Sequence, residues 1–233
     1  MKQPGPCVVV IDSGLNTVHP HLVGARIIEK GIRVAEHHPT RLEQVTGDTN
    51  GHGTAVAAMI FGLAPSATLV SIQILDHQLR AHHTTLVEAL QWASEFRPNI
   101  VNLSVGTTDS AARAEVEAAT NSLLREEVIV VAARHPREVQ SWPATVRGVV
   151  TVQASAQLRL GEVRACGAPL EYLGHGEARP PRRGIAAPSN FSGSSLAAAT
   201  MTGLLAQTFT SPQPRSLQER LAAVEAKRMP KLA

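Results

Sequence analysis

The run CVVVID, residues 7–12, decides the fold. It is apolar up to its closing Asp12 and shows no alternation of apolar and polar positions. A strand with one wet face alternates, whereas a strand covered on both faces does not. Runs of the same kind recur as TLVSIQIL (68–75), NIVNLSV (99–105), EVIVVAA (127–133) and GVVTVQA (148–154). Between them lie HTTLVEALQWASEF (83–96) and AARAEVEAATNSLLREE (111–127), whose apolar residues return every three or four positions, as on one face of a helix. Doubly covered strands alternating with helices predict an α/β fold, a mostly parallel sheet with helices on both faces. Beyond residue 154 the pattern loosens into the Gly-, Pro- and Arg-rich stretch 167–190, read as loop and short strands. A final amphipathic helix over 215–227, with Ser216 as its cap, closes the chain.

The composition narrows the function. The chain has 233 residues, 43% of them hydrophobic, which suits a single domain over 1–233. No apolar run approaches the roughly 20 residues of a membrane helix, so no membrane partner is expected. The net charge of +3 is scattered and aromatics make up 3%, so no stacking platform for nucleic acid is expected either. The N-terminus reads as a first strand rather than a signal peptide. With only Cys7 and Cys166, a reducing, cytoplasmic location is the expectation. Oligomeric state is not encoded in any of these features.

In open parallel sheets, ligands bind beyond the carboxyl ends of the strands. Asp12 closes the first strand, His52 opens a helix within NGHGTAVAA, and Ser195 sits in FSGSSLAAATMTG at another helix start. A serine hydroxyl becomes a useful nucleophile when an imidazole takes its proton and a carboxylate orients the imidazole. Each of the three has small neighbours: Gly14, Gly51 and Gly53, and Gly193. Such residues suggest room for a substrate backbone. Alone, Ser195 would be read as a helix cap and Asp12 as a turn former.

Together these stretches resemble the subtilisin-like serine peptidases. VVVIDSGLNTVHPHL (8–22) resembles the family's Asp motif, NGHGTAVAAMI (50–60) its His motif and SGSSLAAATMTG (192–203) its Ser motif. VNLSVG and VIVVAAR…WPAT resemble its substrate-flanking strands. The resemblance runs from about residue 7 to 210. It implies a catalytic triad of Asp12, His52 and Ser195. It also implies that Ser104, Val105 and Gly106 hold an extended substrate with Val131, Ala132 and Ala133, while Arg134 lines the pocket. A serine endopeptidase with a peptide or protein substrate follows, and a dedicated precursor-processing enzyme suits the chain's size. The first strand begins almost at Met1, so a compact form without a pro-domain is expected.

The departures from the family pattern matter as much. MIFGLAPSA (59–67) leaves no room for the family's main calcium loop, so neither metal nor cofactor is expected. The pairs His37–His38 and His82–His83 lack a third ligand, and adjacent histidines in regular structure point apart. Where the family carries an oxyanion Asn, this chain has His135, whose imidazole N–H is a candidate replacement. Ala199 stands where the family has Pro. Two rival functions stay open: a subtilase fold kept as a binding module, and an acyl-enzyme transamidase or macrocyclase.

Overall fold

The strand β1 (Cys7–Asp12) has Val8 and Val10 in one apolar core and Val9 and Ile11 in another, all fully buried. That double burial is why the run does not alternate. The computed structural model describes residues 5–35, 38–45, 47–135, 137, 139–180, 191–210 and 216–226. The antiparallel pair β2 (Gly14–Leu15) and β5 (Gly47–Asp48) lies beside the end of β1. The hairpin of β3 (Arg26–Ala35) and β4 (His38–Leu42) forms one edge of the main sheet. Its interior strands are β6 (Thr68–Gln73), β7 (Ile100–Leu103), β8 (Ile129–Ala133) and β9 (Val150–Ala154), with β10 (Val163–Ala165) and β11 (Glu171–Gly174) at the other edge. The nine-stranded order is β10-β11-β9-β8-β7-β1-β6-β3-β4. Only the two edge pairings, β3 with β4 and β10 with β11, are antiparallel.

Helices cover both faces. α1 (His52–Leu63), α4 (Ser194–Gln207) and α5 (Leu217–Ala226) belong to the core containing Val8 and Val10. α2 (His83–Glu95) and α3 (Arg113–Arg125) belong to the core containing Val9 and Ile11. α5 is tied to the sheet edge by the Tyr172 hydroxyl, which donates to Glu225 Oε1 at 2.9 Å. The sequence did not announce β3: its charged residues Arg26, Glu29, Lys30 and Arg33 hide a strand that only half-buries at the sheet margin.

α4 explains its own composition. Every residue from Leu196 to Ala206 is buried, so the helix has no wet stripe and runs through the interior. A Cβ on Gly203 would meet Leu63 Cβ of α1 at 2.8 Å, and one on Gly174 of β11 would meet Ala197 Cβ at 3.1 Å. The Ala/Gly surface behind Ser195 is there for packing of helix and sheet, not for the approach of a ligand.

Candidate active site

β1 delivers Asp12 to the carboxyl edge of the sheet, where its side chain is wholly buried. Asp12 Oδ1 accepts from His52 Nδ1 at 2.7 Å and from the Ser13 amide at 2.7 Å. With Nδ1 donating, the imidazole presents Nε2 as an acceptor, the tautomer a general base needs. Burial lowers the His52 pKa, but attraction to Asp12, the hydrogen bond with Asp12 and the charge of Asp48 raise it, and the net shift is upward.

Gly53 makes the pairing possible. A Cβ there would stand 2.2 Å from the Gly14 carbonyl oxygen and 3.2 Å from Asp12 Cβ. Gly53 therefore serves the contact between α1 and the β1–β2 turn rather than a substrate backbone, while Gly14 packs against Gln73 and Gly47, and Gly51 takes a φ of 95° as the cap of α1. Gly193 differs. Its φ of 129° favours glycine, and among the described residues nothing lies within 4 Å of where its Cβ would point. Open space faces the first turn of α4, and that space is what the glycine before Ser195 provides.

Ser195 is partly exposed in that first turn, and among the described residues its hydroxyl has no hydrogen-bond partner. Ser194 is engaged, with its Oγ accepting from the Ala154 amide at 3.3 Å. Phe191, four residues before Ser195, meets the His52 ring edge-on at 5.5 Å between centroids. Catalytic hydrogen bonds often tighten only around bound substrate, so the absence of a bond on the Ser195 hydroxyl does not by itself exclude a nucleophile. On the other side of α4, Thr202 Oγ1 donates to Asn102 Oδ1 at 2.8 Å, and Asn102 Nδ2 donates to Ser104 Oγ at 3.4 Å. This chain of side chains ties the buried helix to the end of β7.

The expected substrate strands divide. Val131 and Ala132 pair with Asn102 and Leu103 of β7 on one side and with Val150 and Thr151 of β9 on the other. Their backbones are used on both edges and their side chains are buried, so they cannot add a substrate strand. An apolar run shows where a strand lies but not where its ladder ends. The ladder between β7 and β8 stops at Leu103 and Ala132, so Ser104, Val105, Gly106 and Ala133 lie beyond its end. Thr107 then pairs with Trp142, whose carbonyl would sit 2.9 Å from a Cβ on Gly106.

Arg134 turns elsewhere. Its amide donates to the Val152 carbonyl at 2.8 Å, and Nη1 pairs with Glu171 Oε2 at 2.9 Å. It lines a cavity of about 660 Å³ with Gln140, Thr145, Arg147 and Glu171, which none of Ser104, Val105 or Gly106 reaches. Its charge is matched by Glu171 rather than offered beside them. His135 is partly exposed, and its Nδ1 accepts from the Arg137 amide at 3.3 Å, which leaves Nε2 to carry the donor proton.

Sequence reading missed Asp48. Its carboxylate accepts from Ser13 Oγ at 2.7 Å, from the amides of Asn50 at 3.0 Å and Gly51 at 2.8 Å, and from the amide and hydroxyl of Thr54 at 2.8 and 2.6 Å. Ser13 Oγ in turn accepts from the Gly53 amide at 2.9 Å. Burial raises the Asp48 pKa, but the bonds from Thr54, Ser13, Gly51 and Asn50 outweigh it and hold the group below the ordinary carboxylate value. The available signal was an acidic residue just before a helix start.

No group of three or more His, Cys, Asp or Glu among the described residues is placed to hold a metal. His82 and His83 do not point apart: their rings lie 4.4 Å apart, because His82 is the extended cap before α2 rather than a helical residue. Of the other pair, His37 lies outside the described residues.

A mostly parallel α/β sheet with a buried Asp–His pair at its carboxyl edge and a serine in the first turn of a central helix defines a recognisable class. The chain belongs to the subtilase family, whose model matches residues 3–224. Subtilisin BL of Lederbergia lenta is 32% identical over 164 residues, covering 66% of this chain and 56% of that protein. The alkaline protease of Shouchella clausii is also 32% identical over 164 residues, covering 66% of this chain but 40% of its own length. The match thus spans about half the length of these relatives. Among solved structures, a cold adapted subtilisin-like serine proteinase matches with a TM-score of 0.67 at 20% identity, covering 94% of this chain and 79% of that one. The prenylagaramide maturation protease PagA matches with a TM-score of 0.66 at 23% identity, covering 88% and 75%. These likenesses establish the fold.

Proposed function

We propose that the protein is a serine endopeptidase in which Ser195, His52 and Asp12 act together, and that it processes a peptide or protein precursor. The observation that carries this reading is the buried 2.7 Å contact of His52 Nδ1 with Asp12 Oδ1. It fixes the imidazole with Nε2 free to take a proton at the edge where Ser195 opens α4. Ser195 Oγ attacks the scissile carbonyl as His52 Nε2 accepts its proton; His52 then gives that proton to the leaving amine. Water, deprotonated by the same imidazole, releases the acyl group. The developing oxyanion is met by the Ser195 amide, at the helix start where amides lack intrahelical partners, and by His135 Nε2–H. An extended substrate lies between Ser104–Gly106 and Ala133.

The processing role is supported by the kind of protein sharing the fold: PagA is a maturation protease, and a lanthipeptide protease matches with a TM-score of 0.67. Cys7 and Cys166 are unpaired thiols, in keeping with a cytoplasmic location. No helix among the described residues is long and apolar enough to cross a membrane.

A fluorophosphonate probe tests the reading, because it labels only an activated serine. Wild-type protein and Ser194→Ala should be labelled at Ser195, and Ser195→Ala should stay unlabelled with an unchanged melting temperature. Labelling that survives Ser195→Ala, or that never occurs, would overturn the assignment.

A further inference from the structure

Gln73, the last residue of β6, is 2% exposed and sits at the carboxyl edge of the sheet opposite Asp12, its partner in the β1–β6 ladder. Its Nε2 donates to the Ser13 carbonyl at 2.8 Å and to the Gly47 carbonyl at 3.2 Å. Its Oε1 accepts from Nη2 of Arg33, on β3, at 2.5 Å. These three partners fix which way the amide faces. A guanidinium only donates and a carbonyl only accepts, so a flipped amide would set like against like at all three contacts. The fit is also close: a Cβ on Gly14 would stand 2.4 Å from the same Nε2.

The two carbonyls belong to the segments that carry the carboxylates acting on His52. Ser13 follows Asp12, and Gly47 precedes Asp48 in β5. Ser13 is bonded to both carboxylates: its amide donates to Asp12 Oδ1 and its hydroxyl to Asp48 Oδ1, each at 2.7 Å. What holds Ser13 therefore holds the pair. Thr49 also donates to the Ser13 carbonyl, from its amide at 3.0 Å and its hydroxyl at 3.1 Å, but it does so from the Asp48 segment itself. Gln73 reaches both segments from the main sheet. The charged groups around this amide are Arg33 and, through the Gly47 amide, Glu29 of β3; those that raise the His52 pKa are Asp12 and Asp48.

We infer that Gln73 is a positioning residue for the peptidase reaction: oriented by the exposed Arg33, its buried amide clamps the Asp12 and Asp48 segments in the arrangement that holds the His52 imidazole. The inference rests on the serine endopeptidase reading above. Gln73 acts through Ser13 and Gly47, not on the substrate. Without the clamp, the two carboxylates settle less closely about His52. The imidazole is then less well held as a base and less attracted as a cation, so its pKa falls.

The test reads the rate of fluorophosphonate labelling at Ser195 across pH, which requires no natural substrate. Gln73→Met keeps the bulk of the side chain and removes the amide. It should slow labelling at the high-pH plateau by about tenfold or more. It should also move the midpoint of the pH limb below that of wild type. A substitution that only loosened the fold would lower the melting temperature without moving that midpoint in the folded protein. Arg33→Met releases the amide from one side and should act in the same direction to a lesser extent. The double variant should be labelled no more slowly than Gln73→Met alone, because both changes break one chain of contacts. Where Gln73→Met does not fold, Arg33→Met decides by the same two readings. Variants that match wild type, or that slow with an unmoved midpoint, overturn the clamp and leave the peptidase standing. Additive slowing in the double variant overturns the part assigned to Arg33. Wild-type protein that is never labelled overturns the peptidase reading itself.

Discussion

The imidazole of His52 is pulled both ways. Burial favours its neutral form, while Asp12 and the more distant Asp48 favour the imidazolium, and the carboxylates win. A general base must be neutral, so kcat/KM should rise with pH along a limb whose midpoint lies above the ordinary imidazole value of 6.5. In stability the sign is opposite: a raised pKa contributes fully below about pH 6.5 and its contribution fades as pH climbs through the folded value. Asp48→Asn removes one of the attracting charges, so the activity limb should move to lower pH. The same change weakens the bonds to the start of α1 and should cost about 1–3 kcal/mol. Because the Asp48 pKa is depressed, that loss should be complete near neutrality and shrink as pH falls through the folded value. A pH–rate profile with thermal melts checks both, and an unmoved limb would make Asp48 purely structural. Asp12, His52 and Ser195 were legible because each is a polar residue at the edge of an apolar or small-residue stretch. Asp48 was not, because a capping aspartate looks alike at any helix, and the short β2–β5 pairing that brings it to Ser13 has no periodicity to read.

At the scale of elements, the same stretch of α4 carries two requirements that the sequence does not separate. Gly193 serves the open space before Ser195, while Gly203 serves the packing against Leu63 of α1. Both appear as small residues in one segment. Gly203→Ala adds a methyl at 2.8 Å from Leu63 Cβ, and the Ile60 carbonyl is 3.3 Å away, so there is no free direction for it. Overpacking of this kind should lower stability by about 1–3 kcal/mol, outweighing alanine's better helix propensity, and denaturant unfolding measures it. A variant as stable as wild type would show that α1 and α4 can separate at no cost. The interior strands were readable because double burial leaves an uninterrupted apolar run. β3 and β4 were not, because an edge hairpin mixes charged and apolar positions. The end of the β7–β8 ladder was equally hidden, which is why Val131 and Ala132 were assigned to substrate when the sheet already uses both their edges.

For the whole molecule, stability comes from two apolar cores, one on each face of the nine-stranded sheet, with the candidate site at the seam where α1 and α4 meet the carboxyl edge. α1 runs from His52 to Leu63 and reaches β6 at Thr68 through a short turn in which the Ala67 amide donates to the Ala64 carbonyl at 3.0 Å. A chain that turns so tightly between helix and strand has no loop there to wrap a cation. The carboxylate of Asp48, beside the start of α1, is already spent on protein donors. An ion stabilises a fold only through the free energy with which the native state binds it, RT ln(1 + [L]/Kd). With stability vested in the cores, excess EDTA should leave the melting temperature within about a degree of its value in added calcium, and the rate of hydrolysis should not change. Differential scanning calorimetry in the two buffers measures this directly. A fall of many degrees with chelator, reversed by calcium, would mean that a cation closes part of the surface and that the cores alone do not hold the edge that carries His52 and the start of α4.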